Sequence, residues 1–460
     1  MVLYMDMKRF YYSAVVFTGL LLGTNDLVRG QQVVGVADAI RMTLERNVQI
    51  KQAELNKDLA AQDVFQAKSN LYPSLNAGAT QSLNYGFFFD QVAGQPITGN
   101  QWTNSAYGSV SSSVNLFKGF QQVNQIKATK SQLESAATQV EKIKNDLVLN
   151  VLITYLDAIT NYELFTASEG QLKLSQQQYK LDSIQFAVGN KTIADIAKSK
   201  NQVATDQLNG VNLQNSYQLS LLTLKQLMEM SPQTEISLVR PNVEFSILRV
   251  EDNIAAEVYE TALRYQPDIK KAALDKDVAA KQIEIAKGGY YPSLEFGISY
   301  GTKYSSEGRD YLSQEKLSFN DQLGRNKALG TTLNLTVPIF NNNQNKVNVA
   351  KAKIGLKQAE AAEQLAKNNL NKAVSQAVLD VNAAKQRYRS ATVAFESAET
   401  AFKATKERYD IGMANSLELF TSQTERNKAE FDLIQAKYNV IFRSKIIDYY
   451  VGNPIQFDNN

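Results

Sequence analysis

Tyr72-Pro-Ser-Leu75 returns as Tyr291-Pro-Ser-Leu294, and the preceding run Leu55-Asn-Lys-Asp-Leu-Ala-Ala61 returns at the same offset as Leu274-Asp-Lys-Asp-Val-Ala-Ala280. Further along, Phe117 pairs with Phe340 and Gly189 with Gly412, at an offset four residues larger. One insertion between Leu75 and Phe117 accounts for the whole drift. Helical stretches of biased composition would not hold these anchors in step by chance, so the chain carries an internal duplication. The unit, roughly 200 residues, is too long for a short-repeat solenoid. It is a duplicated domain half, with residues 31–240 as the first repeat, 241–250 as a linker and 251–460 as the second.

Each half contains one long tract without proline. The eight prolines leave residues 97–231 and 339–453 free. Proline inside a helix costs about 3 kcal/mol, so these Ala-, Gln-, Lys-, Leu- and Glu-rich tracts predict long helices. Ile126, Leu133, Val140 and Leu147 recur at heptad spacing, and Val374, Val378 and Val381 repeat the helical pattern. Helices from Gly119 to Val188 and from Asn342 to Ile411 would each reach roughly 105 Å, longer than a globular core requires. Shorter helices follow, about Thr192 to Met230 and Ser416 to Tyr450.

Between helices the period changes from 3.6 to 2. Leu75, Ala77, Ala79, Leu83 and Tyr85 alternate with Ser74, Asn76, Gly78, Thr80, Ser82 and Asn84. Val110, Val114 and Leu116 alternate with serines and Asn115, and two further strands follow Ser293 and end near Ile339. Four strands of about 10 to 14 residues result, the length of a tilted membrane strand. Their hairpins cover about 74–118 and 293–340. The polar faces are nearly uncharged and aromatics gather at the ends, which suits an apolar lipid face and a watery lumen. Pro73 and Pro292 mark where the chain enters these strands, and Phe117, Pro338 and Phe340 where it leaves. Four strands cannot close on themselves; two chains would give eight and three would give twelve.

Lys8 and Arg9 followed by the apolar run Phe10–Gly23 read as an export signal over residues 1–30. That run is shorter than the ~20 residues of a membrane span. The 460 residues contain no cysteine and no histidine, which excludes disulfides, thiolate nucleophiles and nearly all zinc chemistry. Neither a cofactor nor a metal site is expected. Charge is balanced at 49 basic and 46 acidic residues without basic-aromatic clusters, so nucleic acid is not an expected partner.

Gly189 and Gly412 sit where the long helices should end, and a left-handed residue there favours glycine. Thr192 with Asp195, and Asn415 with Glu418, show capping-box spacing, so both acids have a purely structural role available.

The layout resembles the TolC-type outer-membrane efflux family across nearly all of the mature chain. The resemblance rests on the order helix, Tyr-Pro-Ser-Leu, strand hairpin, exit at Leu116-Phe-Lys-Gly119 or Val337-Pro-Ile-Phe340, long helix and glycine turn, with Glu407-Arg-Tyr-Asp-Ile-Gly412 among its most recognisable stretches. It implies a homotrimer in which four strands per chain build a twelve-stranded outer-membrane β-barrel and duplicated α-helical hairpins build a periplasmic tunnel. It also implies a periplasmic adaptor protein and an inner-membrane transporter as partners, besides outer-membrane lipid. By the same resemblance, Glu418 matches an acid ringing the periplasmic constriction, with Thr421 and Asp195 beside it. Tyr409 and Asp195 match positions linking neighbouring helices. This chain departs from the family in carrying Thr421 where a second ring acid can stand and Ala414 where a latch arginine can stand.

The expected function is a passive exit duct for small amphipathic compounds. Type I protein secretion and a non-conducting bridge across the periplasm are the alternatives. An enzyme is not expected: without His or Cys, and with carboxylates scattered along solvated helix faces, no catalytic residue is assigned.

Overall fold

In the computed structural model, which describes residues 32–99, 101–240 and 254–453, the long helices fall within the proline-free tracts and the period-2 stretches are strands. The expected export signal and the inter-repeat linker lie outside the described residues. The first repeat runs β1 (Gln32–Val34), α1 (Val36–Arg46), α2 (Val48–Ser69), β2 (Ser74–Tyr85), β3 (Phe88–Asp90), β4 (Gln95–Ile97), β5 (Trp102–Lys118), α3 (Gln121–Ala187), α4 (Ile193–Leu227) and β6 (Ile236–Leu238). The second runs α5 (Ala255–Tyr265), α6 (Pro267–Gly288), β7 (Ser293–Ser305), α7 (Phe319–Arg325), β8 (Ala328–Thr336), α8 (Gln344–Asp410) and α9 (Ser416–Val451). The described residues form two units, one of 32–43 with 154–240 and one of 44–153 with 254–453.

In the first unit, β1 and β6 pair in parallel, Val33 opposite Ser237. Their three-residue strands carry no periodic signal long enough to read from sequence. The buried Tyr155 hydroxyl reaches the carbonyls of Val34 and Val239 at 3.0 and 2.7 Å, fastening the small sheet to α3, and burial pushes its pKa up.

The second unit is organised around α8, whose 67 residues span about 100 Å. Leu370, Val374, Ala377, Val378 and Val381 form one stripe of this helix and meet Val258 of α5, Ile269 of α6 and Ile447 of α9 in a buried cluster. Pro267, lacking an N–H, begins α6 and separates it from α5. The side chain of Gln266 at that break donates to the carbonyls of Tyr449 and Tyr450.

The same unit holds the four-stranded antiparallel sheet, ordered β2-β5-β7-β8. Its two central strands therefore come from different repeats, and β2 and β8 are its edges. Pro73 and Pro292 lie immediately before β2 and β7, and Pro338 stands just past the end of β8. β5, at 17 residues, is longer than the sequence pattern predicts because residues 102–108 also pair with β2, and it carries an irregularity between Asn115 and Phe117. The extra residue shifts parity, so Phe117 pairs with Leu294 instead of falling on the serine face. β8, at 9 residues, is shorter than predicted because it ends at Thr336, ahead of Pro338, whereas the period-2 pattern runs on to Ile339. Beyond Gly301, the last β7 residue paired with β8, Gln322 of α7 replaces a strand, accepting from Ser305 N at 2.9 Å and donating to Ser305 O at 2.9 Å.

The strand-to-helix junctions depend on close backbone approach. Gly119 has φ +56°, and a Cβ there would lie 2.1 Å from the carbonyl oxygen of Gly288. At the second exit Asn342 and Asn343 take the left-handed region instead, at φ 54° and 62°. Gly189 also has positive φ, +85°, but a Cβ there meets nothing within 4 Å. Gly189→Ala is thus expected to cost about 1 kcal/mol, from backbone strain alone, and Gly119→Ala at least about 2 kcal/mol. Thermal denaturation of the two variants in detergent checks the order.

Candidate functional site

The register of the sheet assigns every strand residue to a face. One face carries Ser74, Asn76, Gly78, Thr80, Ser82 and Asn84 on β2, and these pair with Ser113, Ser111, Ser109, Tyr107, Ser105 and Thr103 on β5. Continuing across β7 and β8, this face adds Glu295, Ser299 and Lys303, then Gly330, Thr332 and Asn334. The opposite face carries Leu75, Leu83, Val110, Val114, Phe296, Ile298, Tyr300, Leu329, Leu333 and Leu335. Its few amide groups are paired, Gln81 donating to Asn104 at 3.0 Å. Tyr85 and Trp102 pack at one end at 5.1 Å, and Phe117, Phe120 and Tyr291 pack edge-on at the other. An apolar face bounded by aromatics opposite a hydroxyl- and amide-lined face suits a membrane barrel wall. Phe340 is largely exposed just beyond β8.

Each long helix hairpin ends in the same hydrogen-bonded turn. In the first unit, Gly189 N donates to Phe186 O and Asn190 N to Gln185 O, both at 2.9 Å. In the second, Gly412 N donates to Tyr409 O at 3.0 Å and Met413 N to Arg408 O at 2.7 Å. Both are Schellman motifs with a left-handed glycine. The acids that follow are caps in this structure. Asp195 accepts from Thr192 N at 3.0 Å and Thr192 Oγ1 at 2.7 Å, while its own N–H donates to Thr192 Oγ1. Glu418 N donates to Asn415 Oδ1 at 2.9 Å, and its carboxylate accepts from Asn415 Nδ2 at 2.9 Å. The other Glu418 oxygen lies 3.4 Å from the guanidinium of Arg408. Arg408 also donates to Met413 O, so one side chain binds both the turn and the acid. Tyr409 is buried; Thr421 is exposed.

The outer membrane efflux protein family model matches residues 39–228 and 258–448, one stretch per repeat. The chain belongs to the outer membrane efflux protein family. Outer membrane protein TolC of Escherichia coli K12 is 22% identical over 439 residues, 94% of this chain and 84% of that one. TolC of Vibrio cholerae is 25% identical over 443 residues, 92% of each chain. Among solved structures, VceC of Vibrio cholerae superposes with a TM-score of 0.74 at 16% identity, over 92% of this chain and 97% of that one. CusC superposes with a TM-score of 0.77 at 16% identity, over 91% and 92%. The family is one of channel proteins. This member is an outer-membrane exit duct of tripartite efflux, with its strands in the membrane and its long helices as the tunnel wall.

Sequence reading missed three features of this efflux protein. Arg408 stood in the quoted motif beside Tyr409, but only the turn geometry brings it to Glu418. Arg426 of α9 bridges Glu399 at 2.7 Å and Glu430 at 2.5 Å, and it holds the Glu399 carboxyl below its usual range. The third is a polar seam between α3 and α4. Ser168, Gln171, Ser175, Gln178 and Asp182 follow the alternating three- and four-residue spacing of a coiled-coil seam, and all are buried. Asp182 accepts from Gln178 and from Ser199 of α4.

Asp206 of α4 is buried and accepts from Gln202 at 3.0 Å. Desolvation raises its pKa against weaker lowering by Ser175 and Gln202. The folded chain therefore binds that proton more tightly than the unfolded chain. The stability this confers is complete at low pH and is lost as pH rises through the raised value. Asp206→Asn removes the buried charge and is expected to stabilise the protein by about 1 kcal/mol near neutral pH. The gain should shrink toward pH 4, as urea unfolding at several pH values would reveal.

Proposed function

We propose that three copies of this chain close a twelve-stranded barrel and act as the passive outer segment of an efflux pathway for small amphipathic compounds. The observation that carries this reading is the sheet itself. It has one apolar face, one hydroxyl-lined face, and two long edges, β2 and β8, left without strand partners among the described residues. Each unpaired backbone group in hydrocarbon costs several kcal/mol, so β2 of one copy pairs with β8 of the next. Such a duct has no energy source of its own. An inner-membrane transporter supplies it, joined through a periplasmic adaptor protein. Relatives named "Toxin and drug export protein A" and "Alkaline protease secretion protein AprF" are consistent with a common duct whose cargo is chosen by its partners. Mass measurement in detergent should return three chains, and planar bilayers should show discrete conductance. A stable monomer with intact strands would overturn the closure argument, and a silent bilayer the duct.

The glycine turns form the periplasmic constriction in this reading, with Glu418 and Thr421 lining it and Asp195 and Tyr409 linking neighbouring helices. Arg408 tempers the charge there. Its ion pair with Glu418 partly neutralises each carboxylate, so the ring attracts cations less than three bare acids would. Arg408→Gln is expected to raise cation preference and block by divalent ions, and Glu418→Gln to lower both. The double variant, which removes both charges of the pair, should fall between the two single variants. Reversal potentials under a salt gradient test this, and Arg408→Gln selectivity equal to that of the unmodified channel would leave Glu418 as a helix cap.

A further inference from the structure

The connection from β2 to β5 does not extend away from the sheet. It leaves at Tyr85 and returns at Trp102, the last pair of those strands. Between them β3 and β4 form a small hairpin, Phe89 opposite Pro96. Asp90 closes its turn: its backbone carbonyl accepts from Gly94 N at 2.9 Å, and Oδ1 accepts from Val92 N at 2.7 Å and Ala93 N at 3.0 Å. The second carboxylate oxygen accepts from Ser305 Oγ, which pins the hairpin to a strand of the other repeat. Asp90 is only 4% exposed, and Ile97 at the hairpin's far end 3%.

The side of the sheet on which the hairpin lies follows from register. A cavity of about 470 Å³ separates Phe88, Phe89 and Asp90 from Thr80, Tyr107 and Lys303 of the wall. Thr80 pairs with Tyr107, and Tyr107 with Lys303, so these three share the polar face. Thr80 lies five positions inside β2 from Tyr85, about 17 Å of strand. The hairpin therefore folds back over the hydroxyl-lined face. Gly86 at φ +106° and Gly99 at φ +103° flank it, and a Cβ at either meets nothing within 4 Å. Glycine at these positions serves backbone direction, as a reversal of the chain requires.

We propose that the β3–β4 hairpin is a size-selecting constriction at the outer mouth of the duct, held inward by the contact between Asp90 and Ser305. The inference rests on the reading of the polar face as a lumen. In a closed barrel each copy contributes one hairpin, and the gap between hairpin and wall admits narrow amphipathic molecules past Phe88, Phe89 and Tyr107. Larger solutes pass only when the pin is released.

Two variants in planar bilayers test it. Asp90→Ala removes the acceptor for Ser305, Val92 and Ala93, and single-channel conductance should rise at least about twofold, with larger neutral polyethylene glycols entering the pore. The double variant Asp90→Cys with Ser305→Cys, in a chain without other cysteines, rebuilds the pin as a reducible bond. It should conduct like the unmodified channel when oxidised and like Asp90→Ala after a reductant is added to the same channel, which separates gating from misfolding. A conducting channel whose conductance and polymer cut-off do not change in Asp90→Ala overturns the constriction and leaves the duct intact. An unmodified protein that does not conduct overturns both.

Discussion

A backbone amide in hydrocarbon has no water to turn to, and this requirement governs the membrane sheet. Within it every interior N–H and C=O must find a strand partner, so the sheet can end only where another strand is supplied. The duplication supplies two strands per half, and the pairing of β5 with β7 fuses the halves into one ladder. What the duplication cannot do is remove the edges. They are moved outward, to β2 and β8, the edges that the proposed closure would pair. Where pairing fails locally, side-chain amides take over, as Gln322 does for Ser305.

The junctions follow from the same constraint. A strand leaving the membrane must become a helix within a few residues, or it carries unpaired groups through the interface. Gly119 does this by letting two backbones touch at Gly288. The second exit has Pro338 to stop the strand and Asn342 and Asn343 to turn left-handed before α8 begins. Equivalent positions of the duplication thus reach one geometry through different residues, because left-handed φ is open to asparagine as well as glycine.

Long elements were legible in the sequence because their signals are sums over many residues. Two 67-residue helices and the strands after Ser74 and Ser293 follow from proline placement and period alone. The lengths of β5 and β8 were not, since β5 is extended by pairing of residues 102–108 with β2, and β8 stops at Thr336 ahead of Pro338 although the alternation continues to Ile339. The pairing of β1 with β6 joins three-residue strands far apart in the chain, below the reach of any periodic signal. At the turns, Thr192–Asp195 and Asn415–Glu418 were readable as caps, because a cap is local. Arg408 was not, because its partner lies across the turn.

The two hairpins differ at the interface between their own helices. In the first, the α3–α4 seam is built from Ser, Gln and Asp, whose hydrogen bonds replace the apolar packing expected at heptad positions. A hydrogen-bonded seam gains little net stability over the same groups in water, whereas burying an apolar side chain gains about 1.5 to 3 kcal/mol. In the second, α9 buries Leu419 and Phe420 beside Gln423 and Asn427, and Arg426 ties α8 to α9 through Glu399. The duplication therefore supplied two copies of one shape whose helices meet through different contacts, hydrogen bonds along α3 in one and an ion-pair network at α9 in the other.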